Sequence, residues 1–182
     1  RAIGRGGDRA TPAGGRHVAA DGLVLAAGII ELQLNGGFGH DFSSDPQRIW
    51  EVGTRIVEHG VTAFLPTIVS SPPAVITRAR QVLAAGPPAG YRGALPLGLH
   101  LEGPHLAPQH AGAHDRRWLR RPSRDEVTAW GPAGGVRLVT VAPEREGALE
   151  LIAELARRGT VVAAGHSGAD YEVARAAIDA GV

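Results

Sequence analysis

The segment LGLHLEGPHLAP, residues 97–108, decides the fold because it reads as a buried strand that ends on polar side chains. In an extended strand, residues i and i+2 share a face, so His100 and Glu102 point to one side and the leucines beside them to the other. A Gly-Pro break follows Glu102 directly. This pattern predicts a strand whose carboxyl end carries a functional site.

Outward from this segment, short apolar runs alternate with amphipathic stretches along most of the chain. Asp45 is placed to cap the first helix, and Ser71 to introduce the second. Strands that alternate with helices in this way are typical of a parallel sheet covered by helices. We predict strands at about residues 25–35, 61–69, 97–102, 136–143 and 160–167, and helices at about 46–59, 72–85, 148–158 and 171–180.

Two architectures fit this alternation, an open doubly wound sheet and a (β/α)₈ barrel. The dinucleotide-binding form of the open sheet needs G-x-G-x-x-G after the first strand, and NGGFGHDF at residues 35–42 has a different spacing. Polar residues instead collect at the carboxyl ends of several strands, where barrel enzymes place their chemistry. We therefore predict an α/β fold of the TIM-type (β/α)₈ class. Residues 25–182 supply about five of its β/α units, and residues 1–24 form a loop or the remnant of a small domain.

The composition of the 182 residues, with 43% hydrophobic and 20% charged, is that of a globular chain. The formal net charge is +1 with scattered basic residues, which argues against a nucleic-acid partner. No run reaches the roughly 18 apolar residues of a membrane span, so we expect no membrane partner and, by default, a cytoplasmic location. The absence of cysteine excludes disulfides and thiolate zinc sites.

The polar side chains at the strand ends converge on the mouth of the predicted barrel. They are Gln33, Asn35, His100, Glu102 and His166. Glu102 and His166 offer the carboxylate oxygen and imidazole nitrogen that a divalent metal such as zinc accepts, with a position left for water. A helix cap or a hydrogen-bonded core histidine would explain the same residue types. Spacing alone leaves both interpretations open.

Five stretches in order carry a resemblance to a known family: GIIELQLNGGFGHDF (28–42), GVTAFLPTIVSS (60–71), LGLHLEGPHLAPQHAGAHD (97–115), VTVAPE (139–144) and VVAAGHSGADYE (161–172). They resemble the N-acetylglucosamine-6-phosphate deacetylases of the amidohydrolase superfamily. The resemblance covers nearly all of residues 25–182. It implies hydrolysis of the acetamide of N-acetylglucosamine 6-phosphate to glucosamine 6-phosphate and acetate.

The resemblance also implies roles for individual residues. Glu102 and His166 would be metal ligands, His114 would contact the substrate, and the backbone around Gly103 would lie beside the sugar. Many amidohydrolases carry His-x-His where this chain has Gln33 and Asn35, which implies one divalent ion per subunit, zinc or else Mn²⁺, Fe²⁺ or Co²⁺. An acid/base aspartate and a third ligand histidine are expected beyond Val182. The resemblance further implies a homodimer, and a small β domain of which residues 1–24 are part.

Two other functions remain open. One is another amidohydrolase that acts on a different N-acetylated sugar or on a cyclic amide. The other is a non-catalytic fragment in which Glu102 and His166 are merely buried polar residues. Metal content and a panel of N-acetylated sugars separate these cases.

Overall fold

Five parallel strands form the curled sheet on which the chain is built. The computed structural model describes residue 14 and residues 22–123 and 128–182. Its strands are β1 (Ile29–Leu34), β2 (Gly36–Gly37), β3 (His40–Asp41), β4 (Val61–Val69), β5 (Leu95–Pro96), β6 (Leu99–Glu102), β7 (Val136–Val141) and β8 (Val161–Ala164). Its α-helices are α1 (Ile49–Ile56), α2 (Pro73–Ala84), α3 (Ala148–Arg157) and α4 (Tyr171–Ala180).

The main sheet has the order β1-β4-β6-β7-β8, and every pairing in it is parallel. The short strand β5 pairs with β4 in parallel, and β2 and β3 form a separate antiparallel pair. A helix lies between β1 and β4, between β4 and β6, and between β7 and β8. The predicted parallel α/β arrangement is therefore confirmed for five strands, and the predicted small β domain at residues 1–24 lies outside the described residues except for Gly14 and residues 22–24.

Turn chemistry shortens the first predicted helix. The Asp45 side chain accepts a hydrogen bond from Gln47 N at 3.2 Å, as predicted for a cap. A 3₁₀ turn at Pro46–Arg48 then precedes α1, and a second one at Val57–His59 follows it. At the second helix the prediction is wrong, because Pro72 occupies the N-cap position and no side chain caps α2.

The core lies between the sheet and its helices. Leu99 and Leu101 are fully buried there, as the alternation in the opening segment predicts. They pack with Phe64 and Ile68 of β4 and with Ile152 of α3. Burial of this apolar face is the main source of stability for such a layer.

The regular alternation of faces that an extended strand normally shows fails in β1. The register of β1 against β4 is irregular between Ile29 and Ile30 and again between Glu31 and Leu34. Leu34 therefore packs against the core, whereas Leu32 is 56% exposed on the opposite side. An irregularity of this kind shifts the face on which each later side chain lies.

The inner face of the sheet is apolar toward the amino ends of its strands. An open groove of about 420 Å³ there is lined by Leu32, Leu65, Leu97, Arg137, Leu138, Gly159 and Val161. Polar side chains gather on the same face toward the carboxyl ends. In the described part of the chain, no helix has both the length and the apolar character needed to cross a membrane.

Candidate metal centre

Three polar side chains meet beyond the carboxyl ends of the strands. Glu102 is the last residue of β6, and His166 follows β8 by two residues. Glu102 Oε1 lies 3.0 Å from His166 Nε2, and Glu102 Oε2 lies 3.7 Å from His114 Nε2. One ligand atom from each of these residues lies within 4.8 Å of the other two, so the cluster could hold a metal ion.

Glu102 is held as a carboxylate. Its side chain is 10% exposed, and Asn35 Nδ2 donates to its Oε2 at 3.5 Å. The contact with His114 lowers the pKa of Glu102 most, and the hydrogen bonds with His166 and Asn35 lower it further. Burial acts to raise this pKa, but the contacts outweigh it and the pKa falls to about 2. A negatively charged, largely buried oxygen pair therefore faces both imidazoles at neutral pH.

The contacts of His166 determine which of its ring nitrogens is free. His166 Nδ1 lies 2.8 Å from the backbone oxygen of His110, which only accepts, so Nδ1 carries the proton and donates. In the neutral ring, Nε2 then presents a lone pair to Glu102 Oε1 at 3.0 Å. Two acceptors at this distance require a positive charge between them, which is a proton or a cation. Nitrogen and carboxylate oxygen are donors that divalent zinc accepts, so this pair suits a metal.

The contacts of His114 give the opposite result. The backbone N–H of Ser70 donates to His114 Nδ1 at 3.3 Å, and Ser70 Oγ lies 3.0 Å from the same nitrogen. Because a backbone N–H only donates, Nδ1 accepts and the ring proton lies on Nε2. His114 therefore presents an N–H to the cluster. The centroid of its ring lies 4.6 Å from that of His166.

Gly103 follows Glu102 with φ of +87°, which favours glycine. A Cβ at this position would collide with Ser70 Oγ and lie 3.1 Å from Leu106. The backbone at Gly103 therefore passes close to the residue that orients His114.

Two of the predicted residues do not reach the cluster. His100 lies one layer below Glu102 and is 1% exposed, with Nδ1 at 3.1 Å from Thr67 Oγ1 and Nε2 at 2.8 Å from Thr140 Oγ1. Burial lowers the pKa of His100 to about 4. Gln33 is exposed, and within the described residues its side chain makes no hydrogen bond to Glu102 or to either imidazole.

Sequence reasoning missed Ser70, the two threonines that contact His100, and Glu144. Thr67 and Thr140 are opposite His100 and Glu102 in the parallel register, a relation that no sequence spacing shows. Glu144, in VTVAPE, accepts hydrogen bonds from Ser167 Oγ and Gly168 N, each at 2.6 Å. Burial acts to raise the pKa of Glu144, but these hydrogen bonds outweigh it and the pKa is lowered. For Ser70 and Glu144 the available sequence signal was a hydroxyl or carboxylate within three residues of the end of an apolar strand.

The chain has close curated relatives, although no protein-family model matches it. It is 42% identical over 171 residues to the N-acetylglucosamine-6-phosphate deacetylase of Homo sapiens, a match that covers 88% of this chain and 41% of the relative. It is 35% identical over 165 residues to the N-acetylgalactosamine-6-phosphate deacetylase of Escherichia coli O157:H7, covering 88% and 44%. The chain thus spans about two fifths of the length of the curated relatives it matches.

The solved structures that resemble this chain are also those of deacetylases. The N-acetylglucosamine-6-phosphate deacetylase of Pasteurella multocida superposes with a TM-score of 0.76 at 32% identity, over 86% of this chain and 41% of the other. A Mycobacterium smegmatis variant in complex with N-acetyl-D-glucosamine-6-phosphate superposes with a TM-score of 0.75 at 38% identity, with the same coverage. Sequence and structure together show that this chain is related to the N-acetylglucosamine-6-phosphate deacetylases, of whose length it matches about two fifths.

Proposed function

We propose that this protein is a metal-dependent deacetylase that hydrolyses the acetamide of N-acetylglucosamine 6-phosphate to glucosamine 6-phosphate and acetate. The observation that carries the proposal is the facing pair of acceptors, His166 Nε2 and Glu102 Oε1, 3.0 Å apart at the carboxyl end of a parallel sheet. The relation to deacetylases supplies the reaction and the substrate class. A homodimer and a cytoplasmic location belong to the same proposal.

The residues of the cluster divide the work between them. Glu102 and His166 would hold one divalent ion, and zinc fits the oxygen and nitrogen donors, although Mn²⁺, Fe²⁺ and Co²⁺ also accept them. Such an ion, when bound, acidifies water and polarises the amide carbonyl. Asn35 restrains Glu102 through the 3.5 Å hydrogen bond. A further ligand histidine and an acid/base aspartate are expected outside residues 1–182.

His114 has a different role from His166 in this proposal. Its Nε2–H is directed into the cluster because Ser70 occupies Nδ1. An N–H donor beside a metal is suited to a hydrogen bond with an oxygen of the bound substrate. We therefore assign His114 to the substrate, with the backbone at Gly103 beside the sugar.

A second substrate has a specific observation in its favour. The Escherichia coli O157:H7 relative is an N-acetylgalactosamine-6-phosphate deacetylase, which differs from the proposed activity in the sugar. Only a direct comparison of the two phosphorylated sugars discriminates between these activities.

Acetate release tests the proposal. The zinc-loaded protein is assayed with N-acetylglucosamine 6-phosphate, with N-acetylgalactosamine 6-phosphate and with unphosphorylated N-acetylglucosamine, beside the Glu102→Gln variant. We expect release that needs both the phosphate and Glu102, and that is fastest with the glucosamine derivative. Equal rates with and without the phosphate would refute the substrate, and full activity of Glu102→Gln would refute the metal centre.

A further inference from the structure

The conformation of His166 is unusual for a residue other than glycine. Its φ is +51°, in the left-handed region that L residues with a side chain rarely adopt. Such a conformation persists only where neighbouring contacts impose it. The loop that follows β8 therefore needs contacts that fix the backbone around His166.

Two such contacts involve His166 itself. Ala107 N donates to the His166 carbonyl at 3.1 Å, and His166 Nδ1 donates to the His110 carbonyl at 2.8 Å. Both come from the loop that follows β6. They fix the ring and the carbonyl of His166 but not the two residues that follow it.

The carboxylate of Glu144 holds those two residues. Its Oε2 accepts from the Ser167 hydroxyl and its Oε1 from the Gly168 N–H, each at 2.6 Å. Ser167 Oγ in turn accepts from Ala169 N at 2.9 Å. Glu144 thus ties the end of β7 to the first two residues after His166, and both of its oxygens serve that purpose.

Glu146, two residues along the chain, is like Glu144 an exposed carboxylate, but it has a different kind of partner. It pairs with Arg121, and both side chains are more than 70% exposed. Its contact is with a solvated side chain, whereas the partners of Glu144 are a hydroxyl and a main-chain N–H in the loop of His166. The two carboxylates form a matched pair for experiment.

We propose that Glu144 is a positioning residue that holds His166 in its left-handed conformation, so that Nε2 faces Glu102 and can accept a metal ion. The proposal rests on the metal centre described under the proposed function. Groups that orient a ligand histidine typically change metal affinity by about 10- to 100-fold when they are removed. The role of Glu144 depends on the two hydrogen bonds that its carboxylate accepts rather than on its charge.

The test is zinc affinity, measured by competition with a chromophoric chelator, for the protein and for the variants Glu144→Ala, Glu144→Gln and Glu146→Ala. We expect Glu144→Ala to weaken zinc binding about 10- to 100-fold. Glu144→Gln should restore most of the affinity, because its amide oxygen can accept from Gly168 and its amide nitrogen can donate to Ser167. Glu146→Ala should bind zinc like the unmodified protein.

Two further readouts keep the outcome clear. The cobalt-substituted protein should change its visible absorption in Glu144→Ala but not in Glu146→Ala, and Ser167→Ala should weaken zinc binding in the same direction with a milder substitution. Equal zinc affinity for Glu144→Ala and Glu146→Ala would overturn the positioning role while leaving the metal centre intact. Absence of zinc binding by the unmodified protein would overturn the metal centre, and with it this inference.

Discussion

His166 and His114 approach the same carboxylate through Nε2, yet their Nδ1 atoms face opposite kinds of group. A carbonyl oxygen faces Nδ1 of His166, and a backbone N–H faces Nδ1 of His114. The first histidine therefore offers a lone pair and the second offers a proton. Residue type alone does not separate these roles, and at this scale a main-chain contact decides the chemistry.

Replacement of His114 by alanine tests that division. We expect kcat/KM to fall about 10- to 100-fold, chiefly through a higher KM, because a buried hydrogen bond to the substrate is lost. Zinc affinity should stay close to that of the unmodified protein. Steady-state kinetics at saturating zinc measure the first quantity. A fall in zinc affinity with unchanged kinetics at saturating zinc would make His114 a ligand instead.

The buried His100 makes stability depend on pH. Burial holds its pKa at about 4 in the folded chain, below the value of 6.5 for a free imidazole. Because a lowered pKa means that the unfolded chain binds the proton more tightly, its contribution is complete above pH 6.5 and is lost between about pH 6.5 and pH 4.

Urea unfolding at several pH values measures this contribution. His100→Gln should show a shallower decline in the free energy of unfolding over that interval, by up to about 1.4 kcal/mol per pH unit. His105, whose pKa is also lowered to about 4 by burial, continues to titrate in the variant. Identical pH profiles for the two proteins would mean that His100 is not a source of the dependence.

At the scale of elements, prediction succeeded where local sequence signals are strong. The run VTAFLPTIV predicts a strand at 61–69, which is where β4 lies, because β-branched and apolar residues follow Gly60 in a left-handed turn. Glu102 and His166 were found for a related reason, since each follows an apolar strand. Ser70 and Glu144 also follow apolar strands, but their partners could not be predicted, because those partners depend on which loops the sheet brings together. The register irregularity in β1 has no sequence signal that we recognise.

The turn after β6 is sensitive to a single added methyl group. Gly103→Ala introduces a Cβ at φ of +87° that collides with Ser70 Oγ, whereas Gly135→Ala introduces one at φ of +84° with no atom within 4 Å. Both variants carry the cost of a left-handed alanine, about 1–2 kcal/mol. We expect Gly103→Ala to lose about 1–3 kcal/mol more in chemical denaturation because of the collision. Equal losses would mean that the turn relaxes freely.

At the scale of the whole molecule, no described residue covers the inner face of the sheet toward the amino ends of its strands. Parallel sheets are normally covered on both faces, and here Leu32 and Val161 are 56% and 65% exposed at its two edges. An exposed strand edge with apolar side chains is a site of association. The relatives are more than twice as long as the matched region, so they have further chain that could cover such a face.

We expect the 182-residue chain, when produced by itself, to associate in a concentration-dependent manner. Val161→Lys at the edge of β8 should reduce that association, because a charge opposes pairing at a strand edge. Tyr171→Lys is the control, since Tyr171 is 70% exposed but begins α4 rather than lying on the sheet. Sedimentation velocity over a range of concentrations measures both variants. Equal effects of the two substitutions would assign the association to general surface apolarity.

The most direct measurement is the zinc stoichiometry and affinity of the protein and of the variants Glu102→Gln, His166→Gln and His114→Ala. The central claim is that Glu102 and His166 hold a divalent ion and that His114 does not. We expect about one zinc per chain in the unmodified protein. Glu102→Gln and His166→Gln should lose that zinc, and His114→Ala should retain it. Tight zinc binding by either Glu102→Gln or His166→Gln would contradict the claim.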